Sequence, residues 1–147
     1  MEKYSMEQYT IRKLNINDYI NYTSHIQSNI TETLYTHFIN NILNENHHIV
    51  VIEYESRIIG SGTLLIEHKM TYGGCKMGHI ENILVNENMR GKKIGSMIIN
   101  FLTTMAKENN CYRIDLTCTS GLKHFYFSNG FINENLSLTM LLPDNYK

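Results

Sequence analysis

Between Gly78 and Cys118 the 147-residue chain runs strand, polar loop, amphipathic helix and strand, and no other stretch limits its folding choices so tightly. Gly78-His79-Ile80-Glu81-Asn82-Ile83-Leu84-Val85 has a strand composition. From about Lys92 to Glu108, Ile94, Ile98, Leu102 and Met105 recur at helical spacing, Asn109-Asn110 ends the helix, and Tyr112 to Cys118 returns to strand. Two strands joined by such a helix form a right-handed crossover and lie parallel in one sheet. The rest of the chain must extend that sheet or cover it.

The preceding residues extend it by hairpins. Tyr9 to Leu14 reads as a first strand, Asn15 or Asn17 can cap a helix beginning near Asp18, and a second helix runs from about Thr31 to Leu43 with Leu34, Phe38, Ile39 and Ile42 on its apolar face. Ile49 to Ile52 and Ile58 to Ile66, split at Glu55-Ser56, predict an antiparallel hairpin, and Gly73-Gly74 turns the chain into the Gly78 strand. After Cys118 a short helix spans about Leu122 to Ser128, Gly130 closes it, and Phe131 to Leu142 predicts one or more final strands. With no repeat, low-complexity tract or linker, residues 1–147 are read as one α/β domain.

Charge and cysteine usage narrow the function. Thirteen basic residues against 14 acidic ones leave no bulk field to hold a nucleic acid or an anionic membrane. Cys75, Cys111 and Cys118 lack the paired spacing of a zinc site, so no metal is expected and free thiols in a reducing compartment fit better. Neither a leader-like apolar core nor a membrane-length run occurs, which predicts a cytoplasmic protein.

The dense basic cluster Arg90-Gly91-Lys92-Lys93-Ile94-Gly95 opens the long helix. A helix N-terminus presents unpaired N–H groups and about half a positive charge, and glycine lets a phosphate approach the backbone, so the loop suits a pyrophosphate. It carries neither a Walker ending nor a dinucleotide G-x-G-x-x-G. The same residues would also serve as a surface turn with solvated lysines.

The R-G-x-x-x-G loop after Ile83-Leu84-Val85 resembles the acetyl-coenzyme A loop of the GNAT superfamily, whose pattern is Q/R-x-x-G-x-G/A. Arg90 and Gly95 match, and Lys93 stands where the middle glycine usually sits. Ile66-Glu67-His68-Lys69, Gly78 to Ile83, Cys111-Tyr112-Arg113-Ile114, and Phe125-Tyr126 with Gly130-Phe131 narrow this. Together they are similar to the eukaryotic-type glucosamine 6-phosphate N-acetyltransferases. The resemblance implies an α+β fold in which a mixed, mostly antiparallel sheet holds a splayed parallel strand pair and is flanked by helices. It also implies transfer of acetyl from acetyl-coenzyme A to glucosamine 6-phosphate, in the synthesis of UDP-N-acetylglucosamine. Asn82 and Thr119 stand where that family has aspartates. They leave open another amine as acceptor, such as a protein N-terminus, a polyamine or a different amino sugar, and a non-catalytic acyl-coenzyme A sensor is a third reading.

Site expectations follow. Tyr126 sits where the family's tyrosine lies beside the coenzyme sulfur, and a phenol near pKa 10 is better suited to hydrogen-bond a thiolate than to protonate it fully. Packing on the short helix is the alternative. Glu81 shares a strand face with His79 and Ile83 and is expected to bind the amine and take its proton, with a structural ion pair as the alternative; His79 is expected to be structural. The resemblance implies that the backbone of Ile83 and Val85 bonds the pantetheine arm, the N–H of Ile83 or Leu84 is the expected oxyanion donor, and Arg90, Gly91, Lys92, Lys93, Ile94, Gly95 and Ser96 are expected to hold the pyrophosphate. Lys69 is assigned to the sugar phosphate, or else to a solvated edge position. Ser28, Asn29, Asn82 and Lys123 are further substrate candidates, and Thr119 a coenzyme candidate. Cys118 is read as inert rather than as a nucleophile. The apolar close Ser137 to Leu142 predicts a homodimer, with Leu138, Met140 and Leu142 partly buried at or near its interface, or else residues that cover the domain's own core.

Overall fold

In the computed structural model, which describes residues 8–142, Glu55 and Ser56 both take left-handed backbone, with φ of 48° and 60°. Such a two-residue turn matches the twist of paired strands. It locks β2 (His47–Tyr54) against β3 (Arg57–His68) in antiparallel register, with Val51 opposite Ser61. β1 (Thr10–Lys13) adds to the free side of β2. β4 (Lys76–Val85) returns beside β3 after Gly73 and Gly74, whose φ of 73° and 82° only glycine adopts readily. β5 (Cys111–Asp115) then pairs parallel to β4, and the sheet order is β1-β2-β3-β4-β5.

The crossover helix, α3 (Ile94–Glu108), buries Ile94, Ile98, Ile99, Leu102 and Ala106. Met105, expected on that face, is only half-buried, because the small Ala106 takes the place against the sheet beside Gly78. Gly60 and Gly62 of β3 bring the helix close. Ile98 and Leu102 occupy the space a side chain at Gly62 would need, and Ile52 and Ile94 crowd Gly60. Val50, Ile52, Ile98 and Leu102 are fully buried there, each contributing about 1.5–3 kcal/mol of hydrophobic stabilisation.

A second cluster forms around Leu14, Tyr35, Ile49, Val51 and Ile58. α1 (Tyr19–Ile26) enters it through a 3-10 turn at Ile16–Asp18, where Asn15 and Asp18 cap each other's backbone amides reciprocally. Burial pushes the Asp18 carboxyl up, but bonds from the Arg12 guanidinium, at 2.7 and 2.8 Å, and from the Asn15 amide hold it below the usual range. α2 (Glu32–His37), N-capped by Thr31, continues into a π-type turn at Phe38–Ile42. Its buried face differs from expectation. Tyr35 is 3% exposed and donates its hydroxyl to the Asn15 carbonyl, while Leu34 and Ile42 turn outward. With its hydroxyl satisfied, the larger ring takes the core position and rotates Leu34 away by one helical step.

The chain divides after Leu116 into two compact units. In the second, a 3-10 turn at Ser120–Leu122 leads into α4 (Lys123–Ser128), and Gly130 (φ 91°) closes it. Phe131 is drawn back by a bond from its N–H to the Tyr126 carbonyl. The final strands expected from Phe131 to Leu142 do not form: residues 131–142 take no strand conformation, and Leu136, Leu138 and Met140 are exposed. Alternating apolar residues make a strand only where a second backbone completes the ladder, and nothing described does so. β5 also ends at Asp115, earlier than the expected Cys118.

Candidate active site

In the first unit, β4 carries an irregularity the sequence did not announce. Thr63 pairs with Glu81 and Ser61 with Leu84, so two steps on β3 meet three on β4. The extra residue bulges at Asn82, whose φ is +53°. Asn is among the few non-glycine residues that tolerate this conformation. Glu81 and Asn82 are both exposed, and beyond the bulge Leu84 faces Ser61.

The parallel ladder then opens. Its last pair is His79 with Asp115, yet β4 continues to Val85, so Ile80 to Val85 extend past any partner on β5. Among the described residues of the first unit, no strand pairs with the alternate N–H and C=O groups along that edge. Such unpaired groups demand a partner, and an extended amide-bearing arm would suit them.

β4 leads through a 3-10 turn at Glu87–Met89 to Arg90, Gly91 and Lys93. Gly91 has φ +76°, with open space where a side chain would point. Lys93 stands at the N-cap of α3 with φ +63°, the left-handed conformation usually given to glycine, and its ammonium accepts nothing from the amides of the first helical turn. The turn's opening amides therefore stay directed at solvent with the cationic Lys93 and Arg90 exposed near them. This is a cradle for a pyrophosphate. Lysine is compatible with the middle-glycine position because its Cβ penalty, about 1–2 kcal/mol, is local and leaves the backbone conformation intact. Ile94 is buried as the helix's first anchor, and Gly95 and Ser96 are half-buried in the first turn.

A groove of about 1100 Å³ runs beside the end of β4, lined by Ser24, His25, Gln27, Leu84, Val85 and Arg90 among others. Ser28 and Asn29 follow directly. The Ser28 hydroxyl is occupied in accepting from the Ile30 N–H, and Asn29 is exposed.

Lys69 does not join this cluster. Glu67 pairs with Met77 while Thr63 pairs with Glu81, four strand residues apart, or about 13 Å. Lys69 donates to Glu67 at 3.1 Å, and His79 engages the other Glu67 oxygen at 2.8 Å. These two bonds hold the Glu67 carboxyl below its usual range. Glu67 is a polar group that sequence reasoning passed over, although its alternation with Lys69 on one strand face was a usable signal.

The second unit contains Thr119, Lys123 and Tyr126. Tyr126 is 8% exposed and packs edge-on against Phe125 and Phe131, with ring centroids 4.9 and 5.9 Å away. Burial pushes its phenol up and the neighbouring Cys118 adds to this, so the hydroxyl stays protonated at neutral pH and remains a donor. Thr119 and Lys123 are exposed, and Thr119 precedes the 3-10 turn without capping it through its side chain.

The sequence model described as "Acetyltransferase (GNAT) family" matches residues 10–131. A probable glucosamine 6-phosphate N-acetyltransferase 2 of Oryza sativa subsp. japonica is 35% identical over 102 residues, covering 67% of this chain and 61% of the relative. A glucosamine 6-phosphate N-acetyltransferase of Candida albicans is 32% identical over 133 residues, 84% of this chain and 89% of the relative. The crystal structure of glucosamine-6-phosphate N-acetyltransferase from Arabidopsis thaliana superposes with a TM-score of 0.86 at 29% identity, covering 90% of this chain and 97% of that one.

Proposed function

Because the chain belongs to the acetyltransferase (GNAT) family, whose acyl donor is acetyl-coenzyme A, we propose that it acetylates the amine of glucosamine 6-phosphate by direct attack, in the cytoplasm, for UDP-N-acetylglucosamine synthesis. The observation that carries this reading is the bulged end of β4, which leaves the β5 ladder and leads through the Glu87–Met89 turn to the uncapped start of α3. The likeness in name and fold to the rice, Candida and Arabidopsis proteins supports the acceptor. The family match spans nearly all of the first unit and enters the second as far as residue 131, which supports a single catalytic domain.

The roles follow from the chemistry. The exposed carboxylate of Glu81 attracts the ammonium and receives its proton directly or through water, freeing the lone pair. The N–H of Ile83 or Leu84, beyond the bulge, donates to the thioester oxygen as it gains charge, a task worth about 3–4 kcal/mol. Ile83 and Val85 bond the pantetheine arm, the Arg90-to-Ser96 segment holds the pyrophosphate, and Tyr126 donates to the departing thiolate. Ser28 and Asn29, beside the groove, receive the sugar phosphate, Lys69 keeps the edge position in which it pairs with Glu67, and Thr119 borders the coenzyme. Asn82 supplies a neutral amide where a carboxylate would sharpen selection of an ammonium, and this favours a second reading in which a different amine is the acceptor. Thiol release with glucosamine 6-phosphate, glucosamine, glucosamine 1-phosphate and a polyamine decides. Turnover with the first alone supports the assignment, and preference for the polyamine removes it.

Tyr126→Phe is expected to lower kcat at least tenfold with little change in KM for acetyl-coenzyme A, since its hydroxyl acts mainly as the thiolate forms. An unchanged kcat would take Tyr126 out of the mechanism. A homodimer completes the proposal. Leu138 and Met140, 91% and 83% exposed, have the alternation of a strand awaiting a ladder, and a second copy supplies one. Sedimentation equilibrium at micromolar concentration is expected to give twice the chain mass; a fully active monomer refutes this.

A further inference from the structure

A buried imidazole joins three elements where β4 gives way to the basic loop. His25, in the last turn of α1 and 8% exposed, sets Nδ1 against the side-chain oxygen of Asn86 and Nε2 2.9 Å from the Ser61 hydroxyl. The Asn86 amide nitrogen is committed to the Ile58 carbonyl at 3.4 Å. The atom turned to the imidazole is therefore oxygen, which can only accept. Nδ1 carries the proton, and Nε2 accepts from Ser61. Burial pushes the imidazole pKa down, more than the Asn86 bond raises it, and so favours this neutral form.

Asn86 is the pivot of the strand's exit. It is the first residue after β4, and its N–H donates to the Ile59 carbonyl at 2.8 Å. Its carbonyl accepts from Met89 at 2.9 Å, opening the turn that ends at Arg90. Ser61, the other partner of His25, lies opposite Leu84 just past the bulge. The imidazole thus ties β3 to the residue that follows β4, at the place from which the loop is launched.

We propose that His25 is a positioning residue for coenzyme binding: through the Asn86 side chain it fixes the direction in which the chain leaves β4, and with it the seat of the Arg90-to-Gly95 loop. The inference rests on the coenzyme reading above. His25 touches no reacting atom; it acts through Asn86.

Two substitutions separate this from simple stability. His25→Asn places an amide nitrogen near the Nδ1 position and keeps the bond to Asn86, whereas His25→Gln reaches toward the Nε2 position, keeping Ser61 and losing Asn86. Both give up the ring. Loss of the Asn86 bond is expected to raise the calorimetric Kd for acetyl-coenzyme A about tenfold in His25→Gln, with kcat and acceptor KM within about twofold of the parent protein, while His25→Asn stays near the parent Kd. In the ligand-free protein, amide exchange at Met89 and Arg90 should quicken in His25→Gln and not in His25→Asn. If His25→Gln fails to fold, Asn86→Ala carries the same expectation. Equal Kd values and equal exchange in the two His25 variants overturn the proposal. Exchange that separates the variants in a protein that takes up no acetyl-coenzyme A would instead keep the restraint on the loop and remove the coenzyme reading.

Discussion

Gly62→Ala is expected to lower stability by about 2 kcal/mol, seen as a fall in Tm of about 4–8 °C for a chain of this size. A Cβ there would lie 2.6 Å from Ile83 Cδ1, 2.8 Å from Ile98 Cγ2 and 3.0 Å from Leu102 Cδ1. The first two distances are shorter than a carbon contact tolerates and the third is tight, so α3 must lift or the ends of these side chains must leave their rotamers. Ile98 and Leu102 are fully buried and have little room to yield. Ile83 has more freedom, because it lies where β4 has left β5. The strain is therefore expected to move Ile83 and to lower kcat as well as Tm, since its N–H is a proposed oxyanion donor. Urea unfolding with an unchanged m-value, alongside thiol release, reads both effects. A variant as stable as the parent would mean that α3 can shift at no cost, and would weaken the case that β3 glycines set the helix height.

Much of this arrangement is legible in the order and spacing of the residues. The crossover is readable because Ile94, Ile98 and Leu102 recur at helical spacing between two β-rich runs, and handedness then leaves one way to join them. The hairpin at Glu55-Ser56 and the stop at Asn109-Asn110 are readable from turn chemistry. Three things are not. The bulge at Asn82 arises from pairing with β3, and a register offset leaves no mark on the bulged strand beyond an Asn that is common in many settings. The His25–Asn86–Ser61 bridge unites residues 61 and 36 positions apart, and no local pattern reports such a contact. The segment from Phe131 to Leu142 reads wrongly as strand because its alternation satisfies the pattern without the partner that would make it one.

The loop at the start of α3 permits a test in which fold and function move in opposite directions. Gly95 is the second residue of α3 and lies in its uncapped first turn. Aspartate there replaces a poor helix former and places a negative charge beside the positive end of the helix, changes that together favour the ligand-free fold by about 0.5–1 kcal/mol. For a pyrophosphate the same carboxylate is a like charge at contact range. At 4 Å and an effective dielectric near 20, one unit pair repels by about 4 kcal/mol, less after screening by salt. Gly95→Asp is thus expected to hold or slightly raise the Tm of the free protein while weakening acetyl-coenzyme A binding by about 100-fold, near 3 kcal/mol. Gly95→Asn, which adds similar bulk without charge, should lose much less, and the gap between the two variants should shrink as salt rises. Calorimetry that finds parental affinity in a folded Gly95→Asp protein would detach the loop from the pyrophosphate. Loss of affinity equal in both variants would make bulk, rather than charge, the governing term.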